Sequence, residues 1–121
     1  EHALVAKKYF DKSEHSKKII QHIGSGLEII PKINKKFQIA FIDADKENYS
    51  KYFDLVIDKI DLGGIIIADN VLWSGKVIDD EMDNETCELN NFNKKITKDN
   101  RVENILLSVR DGLMICRKIE N

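Results

Sequence analysis

The chain has 121 residues, of which 42% are hydrophobic and 33% charged, which is enough apolar material for the core of one domain. Its 19 basic and 21 acidic residues give a net charge of -2, so charge offers no case for binding nucleic acid or an anionic membrane. No apolar run approaches the length of a membrane span. We expect a cytoplasmic, reducing environment in which Cys87 and Cys116, which lack metal or redox spacing, are free thiols.

The first third of the chain is predicted to contain two helices and one strand. Apolar residues on one side of residues 1–12 predict a helix with its lysines outward. Residues 19–23 predict a brief strand that ends at the glycine-containing turn 24–26, and residues 27–33 predict a second, short helix. No histidine lies near an acidic turn, so the sequence indicates neither histidine catalysis nor a zinc site.

Residues 37–77 contain a predicted β-α-β unit. The apolar run 37–42 has the composition of a buried strand, and apolar residues at helical spacing over 47–60 predict the helix that follows. The glycine pair 63–64 is expected to end that helix, and β-branched residues at 65–68 predict the second strand. A connection of this kind makes the two strands parallel.

Carboxylate and amide side chains come directly after both strands, with Asp43 after the first and Asp69 and Asn70 after the second. If the strands are neighbours about 4.8 Å apart, these side chains emerge together at the edge where α/β sheets bind ligands. Such oxygen ligands suit Mg²⁺ or Ca²⁺, and a cation would balance the like charges. Turn formation or helix capping explains the same residues without a metal, and both interpretations stay open.

The last third is predicted to be an acidic loop, a helix and a hairpin. Residues 79–85 have the composition of a solvated loop, and apolar residues from Leu89 to Ile96 predict a short amphipathic helix. Residues 102–109 and 113–119 predict two strands. The Asp-Gly pair between these apolar runs is typical of an antiparallel hairpin.

Three strings of sequence resemble a known family. FIDADKENY, followed by a helix and GGIIIADNVLWSGKV, is similar to the cation-dependent, S-adenosylmethionine-dependent O-methyltransferases of the caffeoyl-CoA and catechol type. The terminal DNRVENILLSVRDGLMICRK resembles that family's closing segment. The resemblance implies an α/β fold with a Rossmann-like class I methyltransferase sheet that ends in an antiparallel β-hairpin. It also implies that residues 1–121 are the C-terminal part of a single O-methyltransferase domain, with the first strands and the glycine-rich loop missing.

The resemblance implies a metal-assisted methyl transfer. Asp43, Asp69 and Asn70 stand at the family's divalent-metal positions, and Asp43 is also expected to face the acceptor. A Mg²⁺ or Ca²⁺ ion there would bind vicinal oxygens of a catechol-like molecule and lower the pKa of the attacking hydroxyl. Lys46 resembles the general base, because a lysine beside a cation in a cleft can have its pKa lowered enough to accept a proton. Without the motif, Lys46 is a solvated lysine in the first turn of a helix.

The resemblance also implies where the cofactor and the acceptor bind. Asp45, Gly26 and Tyr52 match positions near S-adenosylmethionine, although Tyr52 fits the core face of its helix equally well. Trp73 and Ser74 fall where the family binds a hydroxylated aromatic small molecule, and ordinary packing is the alternative for Trp73.

Three interpretations follow. The first is that the parent protein is a metal-dependent O-methyltransferase, and the second is that this chain is a non-catalytic α/β fragment or assembly module with at most a weak cation site. A receiver-like phosphoacceptor domain also gathers acidic residues at strand ends, but the DADKENY and DNVLW strings argue against it. Without the family's first two strands, strand 37–42 is expected to be separated from 19–23 and to form an exposed edge. Such an edge favours self-association, so we expect a homodimer.

Overall fold

A computed structural model describes residues 1–120. Its centre is a four-stranded mixed sheet in the order β1-β2-β4-β3. The strands are β1 (Phe37–Ile42), β2 (Ile60–Asp69), β3 (Val102–Leu107) and β4 (Leu113–Lys118). The α-helices are α1 (His2–Lys12), α2 (Gly26–Ile29), α3 (Tyr49–Ile57) and α4 (Asn84–Lys98). One-turn 3₁₀ helices lie over Ser16–Lys18, Ile30–Lys32 and Lys46–Asn48, and a longer, kinked one over Trp73–Ile78.

The core lies between one face of this sheet and the helices α3 and α4, which also pack against each other. Alternate residues of β2 and β4 point into it, as the pleat of a strand requires. The ring of Phe92 on α4 meets Tyr49 and Phe53 of α3 edge-on, with centroids 5.6 and 6.3 Å apart. Cys116 is buried in β4 as predicted, and burial raises the pKa of its thiol to about 12.

The central predictions of topology are confirmed. β1 and β2 are parallel neighbours, with Ile42 in register with Ala68. β3 and β4 form the predicted antiparallel hairpin, and β4 joins the sheet antiparallel to β2. The sheet therefore combines one parallel pair with an antiparallel end, as the family resemblance implies.

The predicted strand at residues 19–23 is wrong. No strand in residues 1–120 lies beside this segment, so its backbone has no ladder partner, and the side chains of Ile19, Ile20 and Ile23 are exposed. The preceding helix, α1, forms as predicted, but none of its residues is buried. The apolar side of α1 is therefore not buried against any other part of the chain that the structure describes.

Other predictions need their boundaries moved. The helix expected over 47–60 begins as a 3₁₀ turn and ends at Ile57, because Ile60 already belongs to β2. The glycine pair lies inside β2, where a Cβ on Gly64 would come within 2.9 Å of the Gln38 carbonyl oxygen on β1. Helix α4 begins at Asn84, well before Leu89, because the Asp83 carboxylate caps it by accepting a 2.8 Å bond from the Thr86 amide. The predicted helix 27–33 is the short α2 followed by a 3₁₀ turn.

Strand β1 forms an edge of the sheet, as expected. On the sheet face away from α3 and α4, Phe41, Ile67, Ile115 and Ile105 are register partners in a row across all four strands. Phe41 and Ile105, at the two ends of this row, are 58% and 56% exposed. This apolar face is thus largely open within the part of the chain that the structure describes. No helix in residues 1–120 is both long and apolar enough to cross a membrane.

Candidate functional site

The candidate site lies where β1 and β2 end. Because Ile42 and Ala68 are register partners, the residues that follow them, Asp43 and Asp69, leave neighbouring strands at the same edge. The loop after β1 leads into the 3₁₀ turn at Lys46, and in the loop after β2 Asn70 adopts a left-handed conformation with φ of 60°. These turns bring the loop after β1 against the loop after β2.

Lys46 joins the two loops. Its side chain is only 7% exposed, and its ammonium donates to Asp43 Oδ1 at 3.2 Å and to Asn70 Oδ1 at 2.9 Å. A third bond, of 2.6 Å, goes to the hydroxyl of Tyr49. The three hydrogens of the ammonium therefore have three acceptors, and two of these acceptors belong to the predicted metal set.

The electrostatic state of Lys46 differs from what a general base requires. Burial lowers the pKa of Lys46, but its hydrogen bonds and charge interactions with Tyr49 and Asp43 outweigh burial, so the pKa is raised above its ordinary value. In the arrangement described here Lys46 is thus a stable ammonium. A cation among the same oxygens would act in the opposite direction, because a neighbouring like charge disfavours the protonated form.

Tyr49 is a site residue that the apolar spacing over 47–60 predicted only as part of one helix face. It is completely buried, its hydroxyl donates to the carbonyl oxygen of Asp69 at 2.9 Å, and burial raises its pKa. Its spacing of three residues from Lys46 was the available signal, since side chains three apart meet on a helical turn. A core position on an amphipathic face concealed it.

The loop after β2 is held in a strained conformation by the hairpin turn. Trp73 and Ser74 have φ of 48° and 55°, in the left-handed region that L-residues rarely adopt. The turn fixes this loop through bonds from the amide of Leu72 to the Asp111 carbonyl, at 2.9 Å, and from the amide of Ser74 to the Asp111 carboxylate. The half-buried Trp73 thereby places its ring centroid 5.5 Å from Lys46 Nζ. The contribution of Asp111 was not predicted.

The three predicted cofactor residues meet on the other side of β1. The Tyr52 hydroxyl donates to Asp45 Oδ1 at 2.6 Å, and a Cβ on Gly26 would lie 3.0 Å from the Tyr52 ring. Hydrogen bonds from Tyr52 and Asn48 lower the pKa of Asp45, and the bond to Asp45 raises the pKa of Tyr52 to about 12. Asp45 is therefore ionised at neutral pH, and its carboxylate accepts a hydrogen bond from the Tyr52 phenol, which stays protonated.

Two open cavities flank the end of β1, and Phe41 contributes to both. A cavity of about 440 Å³ is lined by Gly26, Asp43, Asp45 and Tyr52, among others. A second, of about 910 Å³, is lined by Asp69, Asn70, Ser74, Arg110 and Asp111, among others. The predicted cofactor residues thus line one cavity, while two of the predicted metal ligands and Ser74 line the other.

The donor set fits a hard divalent cation. Asp43, Asp69 and Asn70 supply carboxylate and amide oxygens, and a positively charged ammonium, that of Lys46, already lies between Asp43 and Asn70. In residues 1–120, no group of three or more His, Cys, Asp or Glu side chains is arranged so that it could hold a metal ion. The candidate site is therefore one with two carboxylates and one amide.

Comparisons with known proteins identify the family of this chain. A family model described as O-methyltransferase matches residues 1–119. A caffeoyl-CoA O-methyltransferase from Mesembryanthemum crystallinum is 42% identical over 90 residues, which is 69% of this chain and 35% of the relative. This chain spans between 31% and 39% of the length of the curated relatives with which it was compared.

Solved structures share the fold. An O-methyltransferase from Bacillus cereus in complex with SAH has a TM-score of 0.88 at 26% identity, covering 97% of this chain and 58% of that one. An O-methyltransferase from Streptomyces achromogenes in complex with SAM has a TM-score of 0.86 at 23% identity, covering 97% of this chain and 57% of its own, and supports the fold alone. Because the family model spans nearly every residue, the chain belongs to the O-methyltransferase family.

Proposed function

We propose that the protein to which this chain belongs transfers a methyl group from S-adenosylmethionine to a hydroxyl of a catechol-like or other phenolic small molecule, with the help of a divalent cation. One observation carries the proposal: Lys46 Nζ lies between Asp43 and Asn70 at the ends of two parallel strands. The candidate base thus lies in contact with two of the oxygens proposed to bind a cation. The chain also belongs to a family of O-methyltransferases.

Asp43, Asp69 and Asn70 are the residues that would hold Mg²⁺ or Ca²⁺. When bound, the cation would supply a Lewis acid that orients vicinal acceptor oxygens and lowers the pKa of the hydroxyl. Lys46 would then receive the proton of that hydroxyl at Nζ, after losing its own proton to solvent when the cation disfavours the ammonium. Asp43, which is exposed, bonds to Lys46 and lines the smaller cavity, is also proposed to contact the acceptor.

The cofactor and the acceptor occupy opposite sides of β1. Gly26, Asp45 and Tyr52 line the smaller cavity, where an ionised Asp45 is suited to accept hydrogen bonds from S-adenosylmethionine. Ser74 lines the larger cavity, on the acceptor side, and the Trp73 ring, 5.5 Å from Lys46 Nζ, is proposed as a flat wall for a phenolic ring. Methyl transfer is a displacement that depends on alignment, and the rigid strand ends provide it.

We also propose that the parent protein is a cytoplasmic homodimer. The free thiols and the absence of a spanning helix in residues 1–120 are compatible with that location. The exposed β1 edge and the open apolar face favour a second copy as partner.

Calorimetric titration of this chain with Mg²⁺, and then with S-adenosylmethionine in the presence and absence of Mg²⁺, tests the proposal. We expect Mg²⁺ binding that Asp69→Ala abolishes and that Asp61→Ala, an exposed carboxylate near the other end of β2, leaves unchanged. Metal-enhanced cofactor binding would extend the enzymatic function to this chain. Metal binding alone would indicate a half-site, and binding of neither would favour the non-catalytic fragment or assembly module.

A further inference from the structure

Lys46 has three hydrogen-bond acceptors, and only one of them lies outside the proposed metal set. Asp43 and Asn70 would both turn toward a bound cation, whereas the Tyr49 hydroxyl would not. We infer that Tyr49 is a positioning residue, whose hydroxyl holds the Lys46 side chain at the site once a cation has taken Asp43 and Asn70. The inference rests on the proposed function in one respect, the binding of a metal. The contact between Tyr49 and Lys46 does not depend on it.

The Tyr49 hydroxyl is oriented for this role. It donates its proton to the carbonyl oxygen of Asp69 at 2.9 Å, so its lone pairs are directed toward Lys46 Nζ at 2.6 Å. Its ring is completely buried and packs edge-on against Phe92. The backbone of β2 and the core therefore fix the position of the acceptor oxygen.

Lys46 has little else to replace this contact. Its side chain is 7% exposed, so water cannot readily take over the two hydrogen bonds that a cation would remove. Tyr49 thus offers the displaced Lys46 side chain a fixed hydrogen-bond acceptor.

A first experiment tests the contact without any metal. Hydrogen-bonded, shielded lysine ammonium groups persist in ¹H–¹⁵N spectra, whereas exposed ones exchange too fast to be seen. We expect a Lys46 signal in the wild-type chain that exchanges measurably faster with water in Tyr49→Phe, which removes one of its three hydrogen bonds. Lys118, buried and bonded to the carbonyls of Ile57 and Ile60, is the internal control and should keep its signal.

Tyr52→Phe is the matched control variant. It removes a hydroxyl of the same helix that also makes a 2.6 Å bond, but to Asp45 and not to Lys46. The Lys46 signal should keep its exchange rate in this variant. An exchange rate of the Lys46 signal that is unchanged in Tyr49→Phe, or a signal that is missing from the wild type while Lys118 is visible, would overturn the inference.

A second experiment tests the link to the metal by calorimetric titration with Mg²⁺. We expect Tyr49→Phe to weaken Mg²⁺ binding by about tenfold, because the Lys46 side chain that the cation displaces would lose its one remaining hydrogen-bond acceptor. In a Lys46→Met background the same change should have no effect, because no ammonium remains to be held. Equal weakening in both backgrounds would mean that Tyr49 supports the Asp69 carbonyl alone, and would contradict the inference.

The two experiments separate the inference from the proposed function. If the wild-type chain binds no Mg²⁺ but Tyr49→Phe accelerates the exchange of the Lys46 signal, the metal proposal fails and Tyr49 still positions Lys46. If Mg²⁺ binds and Tyr49→Phe leaves both the signal and the affinity unchanged, the metal site stands and the role of Tyr49 is rejected.

Discussion

Gly112 in the hairpin turn lies directly against Leu72 in the loop that follows β2. A Cβ on Gly112 would come within 2.5 Å of Leu72 Cγ and 3.1 Å of the Leu72 amide nitrogen, and Gly112 has φ of +83°. The amide of Val71 donates to the Gly112 carbonyl at 3.2 Å, which holds the two segments together. Gly112, which lies 40 positions after Leu72 in sequence, therefore shapes the loop that carries Asn70 and Trp73.

Gly112→Ala should destabilise the protein more than the same change at a glycine with similar backbone strain. An added Cβ at φ of +83° costs about 1–2 kcal/mol in strain. The clash with Leu72 should add roughly 1–3 kcal/mol, as overpacking typically does. Gly75→Ala is the control, because Gly75 has the same φ and no atom within 4 Å of its Cβ position. Urea denaturation measures both, and equal losses of stability would show that the contact with Leu72 is dispensable.

Replacing Asp45 should change the alkaline titration of Tyr52. The hydrogen bond to Asp45 is the main reason why the pKa of Tyr52 is raised to about 12. Asp45→Asn removes the charge and should shift the pKa of Tyr52 toward the ordinary value of 10.0, seen as earlier ionisation in absorbance at 295 nm. Tyr49→Phe should leave this titration step in place. An unchanged step in Asp45→Asn would contradict the predicted cause.

The same hydrogen bond should affect stability at high pH. Because the folded-state pKa of Tyr52 is raised, its contribution to stability is fully present below pH 10 and is lost as pH rises toward about 12. Tyr52→Phe, which has no phenol to ionise, should lose less stability across this interval. Chemical denaturation at pH 9 and at several higher pH values provides the comparison, with parallel losses in both proteins as the contrary outcome.

Lys46→Met should strengthen Mg²⁺ binding to this chain by at least about tenfold. The Lys46 ammonium bonds to Asp43 and Asn70, so it competes with a cation for both oxygens and repels it. The methionine side chain keeps most of the buried volume without the charge. Calorimetric titration measures the affinity, and Lys76→Met, at an exposed lysine of the Trp73–Ile78 helix, is the control. Weaker binding in Lys46→Met would mean that the ammonium supports the ligands and does not compete.

A charge on β1 should reduce self-association. Ile39 is 63% exposed on this edge strand, and a lysine there opposes pairing with another strand. We expect Ile39→Lys to lower the concentration-dependent association of the chain in sedimentation velocity. Ile78→Lys places the same charge at an 86% exposed position outside the sheet and should have a smaller effect. An equal effect of Ile78→Lys would mean that association does not depend on β1.

The parts of the fold that could be predicted are those that depend on local pattern. The β1-α3-β2 unit follows from apolar periodicity, and the hairpin from an Asp-Gly pair between strands. The strand predicted at residues 19–23 failed because a strand requires a neighbour, which an apolar pentapeptide does not reveal. The early start of α4 was missed because the cap at Asp83 precedes the apolar stripe.

The same distinction applies to the site. The sequence placed Asp43, Lys46 and Asn70 together, because strand ends and a short motif specify that edge of the sheet. It did not predict the third acceptor of Lys46, since Tyr49 fits a core position equally well. Nor did it predict the fixing of the loop at Ser74 by Asp111, a contact between residues far apart in sequence. The roles of these residues in catalysis and binding stay predictions.

The strand order has a consequence for synthesis on the ribosome. β4 is translated after the other three strands, yet it lies between β2 and β3 in the sheet. Until it emerges, β2 can pair only with β1, and the nascent chain presents an unpaired apolar edge at Ile65–Ala68. The loop after β2 also waits for its contacts with the hairpin turn. Ribosomes that stall before residue 113 would therefore display an intermediate in which the apolar edge of β2 is exposed and the loop after β2 lacks its contacts with the hairpin turn. Formation of the hairpin is thus the step that completes both the sheet and this loop.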